Sequence, residues 1–252
     1  MSDKISAIVE ECRVRLCKHR ELLHHALEKG GQQDDPPAVM LMRTVDFGLQ
    51  TMKALELLTA DGDCNALAAC AATRAFFEAA TRILWASTSP ESQNPWVRLQ
   101  VYWAVEDLKW ANAANAFKDL KSHAEVIRVA REDVRNREDL EGRPIQPAPP
   151  IIEMLREIDK ANRAQGHSTE GSLERDYVYT NLYRLLCQAA HGHPVAIRTD
   201  KNKTNLQRAR VGLMLAALYL LEAPCHVAAN NPKEEIEALA TRIMEIANEH
   251  PV

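Results

Sequence analysis

The chain is poor in glycine, with nine in 252 residues, and no stretch alternates apolar and polar side chains at a period of two for long enough to argue a strand. Sheet-based folds are thereby excluded, and the sequence predicts an all-α protein. Long apolar runs are also missing. The longest, Val211 to Leu221, is bounded by Arg208, Arg210 and Glu222, too short to span a bilayer, and reads as a core helix. The opening residues include acids and no apolar region of signal-peptide length, so nothing predicts export. The six cysteines (Cys12, Cys17, Cys64, Cys70, Cys187, Cys225) form no C-x-x-C pair and mostly occupy apolar helical positions. That excludes a zinc ribbon and a disulfide framework and fits reduced thiols in a cytoplasm. A formal net charge of -4 and a pI near 6.2 supply no global cationic field for nucleic acids or anionic membranes, leaving room only for local basic sites. There is no Walker loop, no dinucleotide fingerprint and no nucleophile elbow, and no cofactor is predicted.

What is present is one helix after another, read as a single domain over 1–252 with about eight to nine helices in a bundle. The first is predicted over Asp3 to Lys29, ending at Gly30 and Gly31, and the second over Ala38 to Thr59. Asp63 is placed to cap a third helix running to about Ala86, whose only charged side chains are Arg74, Glu78 and Arg82. Four residues apart, these three form one narrow stripe on an otherwise apolar helix, which predicts a central helix with its charges paired among themselves or to a neighbour. Residues 96–141 hold neither glycine nor proline and read as two helices with a weak break near 112–116, or as one very long helix. The proline-rich stretch 142–150 is a connector inside the domain. Further helices are expected over 151–165, over 173–191 with Ser172 as cap, over 206–227 and over 233–248. The last opens with Asn231 as cap, Pro232 at the first position and Glu234 as a capping-box acid.

Candidate chemistry gathers at the stretch "YRLLCQAAHGHP", residues 183–194, where Gly192 and Pro194 stop a helix. Asn181, Arg184, Gln188 and His191 recur at steps of three, four and three and share a face, with Tyr183 and His193 alongside. The Arg74/Glu78 stripe is a plausible neighbour for them. Arg184 and His191 lie about 10 Å apart in helical rise, and Arg184 leans away from His191, so one copy of the motif cannot close both on a single atom. Either a phosphate-sized ligand bridges them or a second copy of the chain completes the site. The negative end of the helix dipole favours protonated His191, suited to act as a general acid. Beyond the motif, Arg198, Lys201, Lys203, Arg208 and Arg210 face one acid, Asp200, in a segment read as able to track phosphates; no aromatic interleaves with it.

An arginine followed six residues before a histidine on a late helix, "RLLCQAAH", resembles the motif of HEPN domains, a superfamily rich in metal-independent ribonucleases of toxin and antiphage systems. Together with "TRAFFEAATRILW" earlier in the chain, it is also similar to a widespread bacterial helical family of unassigned activity. The resemblance spans about 38–228. It implies a dimer whose paired motifs form a cleft, an RNA substrate, and an antitoxin or defence-system partner. His191 would act as acid and base on a ribose hydroxyl and Arg184 would steady the phosphorus-centred charge. Active members carry a polar residue directly after the arginine, where this chain has Leu185.

Two other readings compete. The same residues serve a non-catalytic helical interaction module if they merely stabilise the core. Glu21 with His24 and His25, and the "HGH" of 191–193, are partial metal-ligand spacings, but a di-iron bundle needs a second Glu-x-x-His motif and two further glutamates that the chain does not supply. No metal is therefore predicted, and Gly192 is expected in the left-handed cap conformation.

Overall fold

A computed structural model describes residues 2–30, 36–60, 65–88, 149–164, 175–194, 202–226 and 233–249. Every regular element among them is helical: α1 (Ser2–Gly30), α2 (Pro36–Thr59), α3 (Ala66–Ser87), α4 (Ile151–Ala164), α5 (Arg175–Val178), a π-helical turn (Tyr179–Tyr183), α6 (Arg184–Ala190), α7 (Asn202–Glu222), a 3₁₀ turn (Ala223–His226) and α8 (Lys233–Glu249). None is long and apolar enough to cross a membrane among the described residues. The proposed helices within 96–141, the connector up to residue 148, and the caps at Asp63, Ser172 and Asn231 lie outside the described residues.

The all-apolar character of α3 and α7 dictates where they go. A helix apolar on every side must be surrounded, and both are. Val211 through Leu221 are buried without exception. Phe76, Phe77, Ala80 and Leu84 of α3 have no exposure at all. The two helices run parallel: Cys70 Sγ donates to the Asn205 carbonyl at 3.2 Å, Thr73 lies against Gly212, and the Phe77 and Tyr219 rings pack at 5.5 Å between centroids. Two glycines permit this closeness. A Cβ on Gly48 of α2 would sit 2.5 Å from the tip of the Phe76 ring, and one on Gly212 would sit 2.8 Å from Thr73 Cγ2.

The remaining helices cover these two. On α1, Arg20 pairs with Asp46 of α2, Arg15 reaches Glu235 of α8 at 2.9 Å, and Glu11 receives Arg242 of α8 at 2.7 Å. α4 docks at the far end of α3, where Trp85 Nε1 donates to Glu157 at 2.7 Å. Its start is set by Pro150, whose carbonyl accepts from the amides of Glu153 and Met154 at 2.9 and 3.1 Å.

Three expectations are corrected. The third helix begins at Ala66 after Asn65, which makes no side-chain cap bond. The helix after the basic stretch begins at Asn202 rather than 206, so Lys203, Arg208 and Arg210 are helical residues and not a solvated loop. Its other end stops at Glu222 and tightens into the 3₁₀ turn instead of running to Val227.

Burial of the core carries a chemical consequence. Cys12 and Cys70 are essentially unexposed, and burial pushes both thiols up to about 12. Neither should react with iodoacetamide in mildly alkaline buffer until the protein unfolds; mass spectrometry showing them alkylated as fast as half-exposed Cys17 would contradict the packing. The unfolded chain releases these protons in the ordinary thiol range and the folded one only near 12. Their contribution is therefore complete below the unfolded value, and stability should fall as pH climbs between the two.

Candidate functional site

The segment 175–194 is one continuous rod with a fault in it. Within Tyr179–Tyr183 the bonding widens by one residue, so that the Arg184 amide bonds the Tyr179 carbonyl. The extra residue lets the Tyr179 and Tyr183 rings stack at 5.2 Å and shifts the phase of everything after it. α6 then runs antiparallel to α3, and Tyr183, Cys187 and His191, spaced by four, meet the charged stripe of α3.

Glu78 is the hub of the contact. One of its oxygens, Oε1, accepts from Arg74 Nε at 2.8 Å and from the Tyr183 hydroxyl at 2.8 Å, while Oε2 accepts from Arg82 at 3.3 Å. Arg74 in turn holds His191, Nη1 to Nε2 at 2.9 Å. A guanidinium can only donate, so Nε2 must be the acceptor and the imidazole hydrogen lies on Nδ1. This replaces the expected protonated histidine. The dipole of the short α6 favours a cation, but an arginine already bonded to Nε2 occupies the lone pair that protonation needs. Burial, reinforced by the bond to Glu78, raises Tyr183 well above the ordinary phenol range, which keeps it a donor; burial also raises the Cys187 thiol beside it.

His191 is fixed by the end of its helix. Its amide bonds the Cys187 carbonyl at 3.0 Å, Gly192 bonds Ala189 at 3.1 Å, and His193 bonds Gln188 at 2.9 Å, with Gly192 at φ +62°. This is the left-handed glycine termination expected from the sequence, and it leaves His191, His193 and Pro194 exposed.

The two polar stripes do meet, through a different face than the spacing suggested. His191 joins Arg74, whereas Arg184 is exposed and takes no part in the chain of bonds from Arg82 to His191. Asn181 lies half-buried within the π turn, and Gln188 is half-buried on α6. Of the basic segment, Arg198 and Lys201 lie outside the described residues, Lys203 is exposed, and Arg208 and Arg210 are half-buried on α7. Of the metal-ligand spacings, His24 faces Glu28 at 3.4 Å, and no group of three or more His, Cys, Asp or Glu gathers among the described residues.

A second polar cluster went unnoticed in the sequence. Arg175, at the start of α5, bonds Asp159 of α4 at 2.6 Å and both carboxylate oxygens of Glu222 of α7 at 3.1 Å, and its guanidinium lies 5.3 Å from the centre of the Tyr219 ring. Burial by itself disfavours the cation, but Glu222 and Asp159 outweigh it and hold Arg175 above its ordinary range. Burial pushes the Tyr219 hydroxyl up to about 12. These residues are 16 to 60 positions apart in the chain. No spacing rule joins them.

No family model matches the chain, and neither does any curated protein or solved structure.

Proposed function

We propose that the protein cleaves RNA without a metal ion, at a site built on His191 and Arg74 with Arg184 as an outer phosphate contact and a second copy of the chain facing it. The observation that supports this reading is the Arg74–His191 contact: a neutral imidazole lone pair and a guanidinium share one exposed helix end. A base and a phosphate-neutralising cation are the minimal equipment for transesterification. Arg74 turns from Nε2 to the phosphate, and His191 Nε2 takes the proton of the ribose 2′-hydroxyl. The 2′ oxygen bonds to phosphorus, the bond to the 5′ oxygen breaks, and that oxygen leaves with its electron pair and takes a proton from water. The products are a 2′,3′-cyclic phosphate and a 5′-hydroxyl.

Purified protein is expected to cut RNA in EDTA with cyclic phosphate ends, and His191→Ala to abolish cutting with helical circular dichroism unchanged. Cutting that survives the substitution eliminates His191 as the base, and activity lost in EDTA transfers the reaction to a metal.

A second reading, a non-catalytic helical interaction module, draws on the three donors converging on Glu78. In it the Arg74–His191 bond simply ties the end of α6 to α3. Absence of any cutting, with His191→Ala lowering stability, would favour it.

A further inference from the structure

Among the half-buried arginines, Arg15, Arg74, Arg82 and Arg175 each face a carboxylate. Arg208 does not. Its Nη1 donates to the side-chain oxygen of buried Asn205 at 3.2 Å, and its Nε is buried with no hydrogen-bond partner. Burial lowers its pKa, the direction opposite to Arg175, because no acid compensates the lost water. A partly desolvated guanidinium with a donor to spare is an incomplete arrangement. An anion completes it.

The position of Arg208 says which anion it can reach. One turn further along α7, a Cβ on Gly212 would touch Thr73 of α3 and Leu186 of α6, so that side of α7 lines the groove between those two helices. Arg208, four residues earlier, follows the same groove toward the end where α3 begins and α6 terminates, and it senses Cys70, one turn before Arg74. Arg74, His191 and Arg208 thus come from three helices to one end of the bundle. The parallel helices α3 and α7 also both start there, with no acid in the first turn of either, so their unsatisfied amides add positive potential.

We propose that Arg208 anchors a second phosphate subsite, beside the one at Arg74 and His191, which grips the neighbouring phosphate of a polynucleotide backbone. The identity of the occupant rests on the ribonuclease reading, and the existence of the anion subsite does not. The structure narrows the basic segment to this residue, since Lys203 is exposed and held by nothing that would orient it.

The test uses the full chain and an uncleavable 2′-deoxy oligonucleotide. Arg208→Gln should weaken binding about tenfold and lower the slope of log affinity against log salt by about one, while Arg208→Lys keeps the slope. Wild-type affinity and slope in Arg208→Gln would overturn the subsite. Independently of any variant, inorganic phosphate titrated into the wild-type protein should shift the Arg208 Nε–H resonance; a resonance that does not move overturns it as well. If the oligonucleotide binds through Arg208 while RNA is never cut, the subsite stands and the ribonuclease reading falls.

Discussion

Arg175→Met is expected to destabilise the protein by about 3–5 kcal/mol, because it leaves the Asp159 and Glu222 carboxylates buried against one another with no cation between them. The Arg175 side chain is 12% exposed and those of its partners 14% and 17%, so solvent cannot take over the lost contacts. Asp159 also accepts the Arg175 backbone amide at 3.1 Å, which ties the start of α5 to α4. The penalty therefore comes from stranding charges and not from the net worth of the bridge. That distinction is measurable in the triple variant Asp159→Leu, Arg175→Met, Glu222→Leu, where no charge is left stranded. It should recover most of the loss, short of what Asn162 forfeits when its 3.0 Å bond to Glu222 disappears. Urea denaturation with unchanged m-values checks both variants. A single substitution costing under about 1 kcal/mol would mean that water already reaches the cluster.

Glu78→Ala is the second large effect, at about 2–3 kcal/mol. It removes the acceptor from three donors at once and leaves the Tyr183 hydroxyl, on a residue only 9% exposed, without its partner. Glu10→Ala provides the contrast. Its pair with Arg13 is about half exposed on both sides, and its removal should change stability by no more than about 0.5 kcal/mol. Chemical denaturation of the two variants side by side tests whether Glu78 is a hub or an ordinary helix-surface acid. Equal costs would reduce the Arg74–Glu78–Tyr183 network to surface decoration. Glu78→Ala also frees Arg74 from its Nε bond, so the imidazole resonances of His191 should move; in Glu10→Ala they should not.

The stripe Arg74, Glu78, Arg82 could be read because a helix imposes its period locally. Three charges four apart on an apolar helix must share a face, and a central helix must pair them. The Gly192 termination was legible for a similar reason, since a glycine after the last apolar residue of a helix has one common use. The face that α6 turns toward α3 was not legible. The spacing argument ran a uniform helical turn through 173–191, and the π turn at Tyr179–Tyr183 inserts one residue into that count, bringing forward Tyr183 and Cys187 instead of Asn181, Arg184 and Gln188. Stacking of Tyr179 on Tyr183 accompanies the extra residue, and it depends on what those rings pack against.

By itself, then, the sequence determined the helical class, the burial of its two most apolar helices and the stop after residue 190, because each depends on residues within a few turns of one another. Only the tertiary structure decided that Arg74 holds His191, that Arg175 sits between two acids, and that Arg208 lacks one. Those outcomes depend on where a buried charge finds its partner. Desolvation makes that choice across the packed helices, among groups that the chain order leaves far apart.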